Sequence, residues 1–145
     1  MEILNRQARH NYLIEDTIEC GIVLVGTEIK SIRMGKCNIK DSYAIIKNME
    51  VYLLNMHISK YDNASFFNHQ ETRTRKLLLN KKEILKLNNK LTLQGYTLIP
   101  LKIYFKKQYA KVLLGIAKGK KDYDKRQAIK ERDIKREMDK TIKYR

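Results

Sequence analysis

Residues 118–145 most constrain how this chain folds, because they cannot build a core. Twelve of these 28 residues are Lys or Arg, six are Asp or Glu and seven are apolar or aromatic, too few to cover one face of a packed helix. The segment has no Pro and its one Gly, Gly119, sits near its start, so it is able to be helical but gains little from being helical alone. A basic arm that orders on a polyanion is the simplest physical reading. The expected organisation is a folded body over 1–117 and a tail over 118–145 that is disordered when free.

The 117 residues of the body are enough for a core, and a hydrophobic content of 43% makes a disordered body implausible. Of the formal net charge of +15, the tail carries +6 and the body +9. Both parts should therefore seek phosphate. An anionic membrane is the rival polyanion, but no segment is long or apolar enough to span one, and Met1 to Asn11 has no apolar run of the secretory kind. Cys20 and Cys37 are isolated, as expected of reduced thiols in a cytoplasmic protein.

The body reads mainly as strands. Tyr12–Glu15 and Ile18–Val25 are short apolar stretches separated by Glu15-Asp16-Thr17. Ser42–Ile46 and Val51–Asn55 flank the turn Lys47-Asn48-Met49-Glu50. Tyr96–Phe105 alternates, with Leu101, Ile103 and Phe105 on one face; Pro100 lacks an N–H, so that strand is at an edge or bulged there. Lys111–Ala117 completes a second hairpin. Two helices interrupt the strands. Thr27–Met34 has Gly35 as its left-handed terminator. The other has Asn80 as cap, Glu83 three residues on, Leu79 able to staple onto Ile84, and Gly95 at its end. The expected fold is α+β: a small antiparallel barrel of the oligonucleotide-binding kind with two or three short helices.

Enzymatic constellations are missing from the sequence. Gly115-x-x-x-Gly119-Lys120-Lys121 lacks the spacing and the Ser/Thr of a phosphate loop. His57 and His69 with Asp62 offer a metal site on paper, but hydrogen-bonded structural roles are the better reading. No catalytic residue, cofactor or metal is assigned.

Binding residues are easier to nominate. In Gly26–Arg33, Glu28 lies in a first helical turn, where the dipole favours a carboxylate; the functional alternative has Glu28 accepting from base N–H donors while Lys30 and Arg33 hold phosphates. Arg73, Arg75 and Lys76 form a basic run, preceded by a loop bearing Tyr61, Phe66 and Phe67 that offers stacking faces. In the tail, Tyr123 stands between acidic residues, free to stack on a base. Asp124 with Gln127 makes a capping-box pattern, and Ile134, Met138 and Ile142 recur once per turn.

Taken in order, several stretches resemble one family. They are Asn5-Arg6-x-Ala8-Arg9-His10, Gly21–Leu24, Gly26–Arg33, Gly35-Lys36-x-Asn38–Tyr43, Thr72-Arg73-x-Arg75–Leu79, Gly95–Leu101, Ile116–Lys121 and Asp124-Lys125-Arg126. Their ordered combination resembles the SmpB (small protein B) family, the tmRNA-binding proteins of bacterial trans-translation. The resemblance implies a barrel that binds the tRNA-like domain of tmRNA. It also implies a tail that enters the empty messenger channel of a stalled ribosome and becomes helical there. Carried over by position, Asn5, Arg6, Glu28, Lys30, Ser31, Arg33, Lys36, Arg73, Arg75, Lys76, Lys118, Lys120 and Lys121 fall to tmRNA. Tyr123, Asp124, Lys125, Arg126, Ile134, Met138 and Ile142 fall to the decoding centre and channel. The implied partners are tmRNA, small-subunit ribosomal RNA and, through the shared RNA, alanyl-tRNA synthetase and elongation factor Tu. A monomer without a membrane partner is expected.

The chain departs from the family pattern at a few positions. Cys20 and Cys37 replace a frequent Ala, Lys60 a frequent Pro, Asn80 a common His, and Tyr123 the His of some members. An aromatic plane survives at Tyr123, whereas a protonation-dependent role there does not. The rival reading is a generic single-strand-binding barrel with a basic tail, which would want exposed aromatics on its strands.

Overall fold

The computed structural model describes residues 1–64 and 67–120. In chain order the elements are β1 (Glu2–Leu4), α1 (Ala8–Asn11), β2 (Tyr12–Ile22), α2 (Gly26–Arg33), β3 (Cys37–Asn38), β4 (Tyr43–Lys47), β5 (Glu50–Leu54), β6 (His57–Ile58), β7 (Arg75–Leu78), α3 (Lys81–Gln94), β8 (Thr97–Lys106) and β9 (Tyr109–Gly119). Seven strands form one antiparallel sheet in the order β1-β8-β4-β5-β7-β2-β9. β8 also pairs with β9, and this closes the sheet into the expected barrel, which leaves few free edges. β3 and β6 form a separate two-stranded ribbon.

The core follows from the alternation. Val51, Leu53, Leu98, Val112 and Leu114 are wholly buried, and Ile32 of α2 with Ile84 and Leu87 of α3 pack against them. Removing each such aliphatic side chain from water contributes about 1.5–3 kcal/mol. The signals at α3 form as expected: the Glu83 N–H donates to Asn80 Oδ1 (2.9 Å), Glu83 Oε1 accepts the Asn80 N–H, and Gly95 takes φ 70°.

Several expectations need correction. The acidic Glu15-Asp16-Thr17 does not break a strand: β2 runs through it, with a bulge between Ile14 and Asp16. Residues 23–25 leave the strand before α2. β1, α1 and β7 are too short and too polar for their patterns to announce them. Pro100 produces a bulge and not an edge, because β8 has neighbours on both sides and its register shifts between Pro100 and Lys102. A Cβ at Gly115 would lie 3.2 Å from the Leu101 side chain, so the glycine makes room for the bulged strand. The turn between β4 and β5 has two central residues, Asn48 (φ 52°) and Met49 (φ 60°), the left-handed pair that matches the twist of a tight hairpin. The body boundary expected at Ala117 falls two residues inside β9, whose Gly119 is paired with Tyr12.

Candidate nucleic-acid interface

Helix α2 is the best-built cation platform. Ile32 anchors it in the core, and Gly35 (φ 74°) ends it. Its outer face carries Lys30 and Arg33, both exposed. Each cation rests on an aromatic plane: Lys30 Nζ lies 5.3 Å from the Tyr61 ring centre, and the Arg33 guanidinium 4.4 Å from that of Phe105. The rings limit the freedom of these long side chains while leaving their charge at the surface. Lys36, one turn on, pairs with exposed Asp62 at 3.2 Å.

Under this face lies an ionic cluster that changes three of the sequence assignments. Glu28, Ser31 and Arg75 have no exposed surface, so they are not direct RNA contacts as expected. Glu28 Oε1 accepts from the Val25 N–H (2.9 Å) at the start of α2 and from Arg73 Nη2 (2.6 Å). Its Oε2 accepts from Arg75 Nε (2.6 Å). Burial pushes the Glu28 carboxyl up, but the hydrogen bonds from Arg73, Val25 and Arg75 outweigh it and hold the group below the ordinary glutamate range. Arg75 also donates to the carbonyls of Met56 (2.5 Å), Gln70 (3.3 Å) and Glu71 (3.1 Å). The carboxylate that the sequence offered to a base is thus spent on joining α2 to β7 and to the loop before it. Arg73, with about a third of its side chain exposed, is the member of the cluster that reaches solvent.

The remaining cations lie on other faces. Asn5 is half buried: its Nδ2 donates to Pro100 O (2.9 Å) and its backbone N–H to Leu101 O (2.9 Å), which pins the N-terminal segment to the β8 bulge. Arg6 is exposed beside it. Lys76 pairs with Glu50 (3.2 Å). Lys118 is exposed, with Nζ 4.6 Å from the Tyr96 ring centre, and the Lys120 N–H donates to Asn11 O (2.9 Å). Lys121, Tyr123, Asp124, Lys125, Arg126, Ile134, Met138, Ile142 and Phe66 lie outside the described residues.

One surface escaped the sequence reading. Val23, Leu78 and Tyr109 are exposed around a cleft of about 280 Å³, with Lys111 at its edge. Alternation across Leu77-Leu78 was the available signal, since it sends Leu77 inward and Leu78 outward. Exposed Tyr43 and Tyr109 also supply the strand aromatics that the rival reading asked for. The histidines have identifiable structural partners. His69 is buried, with Nδ1 2.9 Å from Thr27 Oγ1 and Nε2 2.9 Å from Ile58 O; His57 Nε2 lies 2.7 Å from Glu71 Oε2. Burial pushes both thiols, Cys20 and Cys37, up to about 12, which suits inert side chains. Among the described residues no group of three His, Cys, Asp or Glu is arranged to hold a metal ion, and no helix is long and apolar enough to cross a membrane.

Barrel, surface cations and aromatic supports together define the class of small basic oligonucleotide-binding-type barrels. Comparison with known proteins makes the assignment specific. The family described as "SmpB protein" matches residues 2–144. An SsrA-binding protein of Staphylococcus aureus (strain Newman) is 59% identical over 141 residues, which cover 97% of this chain and 92% of that protein. The SsrA-binding protein of S. aureus (strain COL) matches to the same extent. A chain from the solved structure described as "tmRNA-SmpB: a journey to the center of the bacterial ribosome" is 49% identical, with a TM-score of 0.70 over 83% of this chain and 85% of that one. The chain belongs to the SmpB family.

Proposed function

We propose that this chain is the non-enzymatic adaptor of trans-translation in its cell. It binds the tRNA-like domain of tmRNA and delivers it to stalled ribosomes. Its C-terminal tail enters the empty decoding site and messenger channel, so that the nascent chain is tagged and the ribosome released. The observation that carries this reading is the length of the family match, which takes in both the barrel and the basic tail. Relatives described as SsrA-binding, and a related chain described with tmRNA in the bacterial ribosome, supply the RNA and the machine. The cations of α2, held on Tyr61 and Phe105, suit a duplex read by shape and phosphate.

In this reading Lys30, Arg33, Lys36, Arg6, Lys76, Lys118, Lys120, Lys121 and the exposed edge of Arg73 meet RNA. Glu28, Ser31 and Arg75 act from beneath them. Tyr123 stacks on a base of the decoding centre and Lys125 and Arg126 grip backbone, while Asp124 starts a helix striped by Ile134, Met138 and Ile142. Phosphate contacts offset the cost of ordering it. Alanyl-tRNA synthetase and elongation factor Tu are met through the shared RNA, in the cytoplasm, by a monomer.

Two experiments test this. The RNA that co-purifies from the protein's own cell should be one dominant structured species of a few hundred nucleotides; a heterogeneous mixture would favour a generic single-strand binder. Alanine at Asp124, Lys125 and Arg126 should spare binding of the tRNA-like domain and abolish tagging. Ile134→Pro should do the same by breaking the helix, at about 3 kcal/mol. Tagging at the wild-type rate in both variants would leave only an RNA-binding barrel with a passive tail.

A further inference from the structure

The largest cleft among the described residues, about 510 Å³, lies at the root of the tail. Helix α1, the 40–42 turn and the ends of β4, β8 and β9 surround it, and Gly119 lines it where the chain leaves the barrel. None of the sequence motifs explains it.

Its chemistry is mixed in a particular way. Ser42 is 2% exposed, and its hydroxyl has no hydrogen-bond partner among the described residues. A buried hydroxyl without a partner is costly, and a ligand that completes it recovers that cost. Asn5 uses its amide N–H groups on Pro100 O and Ile39 O, so its Oδ1 is left as an acceptor at the wall. Tyr43 stands at the mouth with 40% of its surface exposed. The turn beneath is already set: Asn38 Oδ1 accepts from the Lys40 N–H (2.8 Å), the Ser42 N–H donates to Ile39 O (3.2 Å), and Asp41 takes φ 64°. The Asp41 carboxylate would repel a phosphate inside the cleft, whereas it accepts well from an exocyclic amine or a ribose hydroxyl. Lys40, exposed at the same turn, suits a phosphate left outside.

We propose that this cleft holds one unpaired nucleobase of the bound RNA. The base stacks on Tyr43, its edge is read by Ser42 and Asn5, and its phosphate lies outside toward Lys40. The proposal rests on the RNA-binding reading above and adds to it a base-specific subsite away from α2. A pocket of this size accommodates a nucleoside, and stacking beside a small set of fixed donors and acceptors is how splayed RNA bases are recognised.

The test uses the full chain and a transcript of the tRNA-like domain of tmRNA, titrated at several salt concentrations, with thermal melts of each variant. Tyr43→Ala should weaken binding about 5- to 150-fold, the range for a lost base stack, with the salt slope unchanged. Ser42→Ala should weaken it about 2- to 13-fold while melting at or above the wild-type temperature, because it removes an unsatisfied hydroxyl from the free protein. That pairing of signs has no source in a merely structural serine, and it keeps the proposal testable if Tyr43→Ala fails to fold. Wild-type affinity in Ser42→Ala, or a reduced salt slope in a folded Tyr43→Ala, would overturn the subsite while leaving the RNA-binding reading intact. Failure of the wild-type chain to bind the transcript would instead remove the reading beneath it.

Discussion

Arg75 Nη2 and Glu28 Oε2 lie 2.5 Å apart, and neither side chain has any exposed surface. The pair joins β7 to α2, and the other guanidinium hydrogen bonds of Arg75 reach the carbonyls of Met56, Gln70 and Glu71. One buried cation thus organises the helix bearing Lys30 and Arg33 together with both ends of the segment bearing Tyr61. Burying these charges is expensive, and their mutual attraction repays it only because the remaining donors are satisfied.

The first prediction follows from that asymmetry. Glu28→Gln leaves Arg75 buried without its counter-charge and beside Arg73. Folding stability should fall by about 3–5 kcal/mol, the range for breaking one side of a buried pair. Chemical denaturation of the variant would measure this. A variant as stable as the wild type but defective in RNA binding would restore Glu28 as a direct contact.

Acid should reveal the same cluster. The Glu28 carboxyl lies below its ordinary value in the folded protein, so the unfolded chain takes up its proton first as pH falls. Its contribution is fully present above the unfolded glutamate value of about 4.3 and is lost as pH drops through the folded one. The stability difference between wild type and Glu28→Gln should therefore be constant near neutrality and shrink below about pH 4. Glu19 and Glu50, also lowered, are common to both proteins and cancel. A difference independent of pH across that range would contradict the assignment.

Lys30 and Arg33 should act on RNA through charge. Replacing either with Ala should lower the slope of log affinity against log salt by up to about 0.7–0.9 per phosphate contact, with melting little changed since both heads are exposed. Titration of the tRNA-like domain at four or five salt concentrations measures it, and an unchanged slope would remove these residues from the interface.

Met49 offers a test remote from the site. Its φ of 60° is a left-handed conformation that a side chain resists and glycine does not. Met49→Gly should raise stability by about 1 kcal/mol, read as a higher denaturation midpoint with RNA binding unaltered. A lower midpoint would mean that the exposed Met49 side chain packs more usefully than its exposure suggests.

Much of this molecule was legible in its sequence, where the information was local. The cap, staple and terminator of α3, the end of α2 at Gly35, the alternation of β8 and the β4–β5 hairpin each depend on residues a few positions apart, so short-range sterics and hydrogen bonding determine them. The ordered motifs likewise identified the family, and the charge separation between body and tail required no contacts at all. Glu28, Ser31 and Arg75 could not be read this way. Glu28 and Arg75 are 47 residues apart, and only closure of the barrel between β7 and α2 decides that they face each other and not solvent. The cleft at Ser42 is of the same kind, since its walls come from residues 5, 42, 97 and 119. Residue types and local periods set which elements form; whether a charge is a contact or a strut depends on what the fold lays over it, and that only the tertiary structure decides.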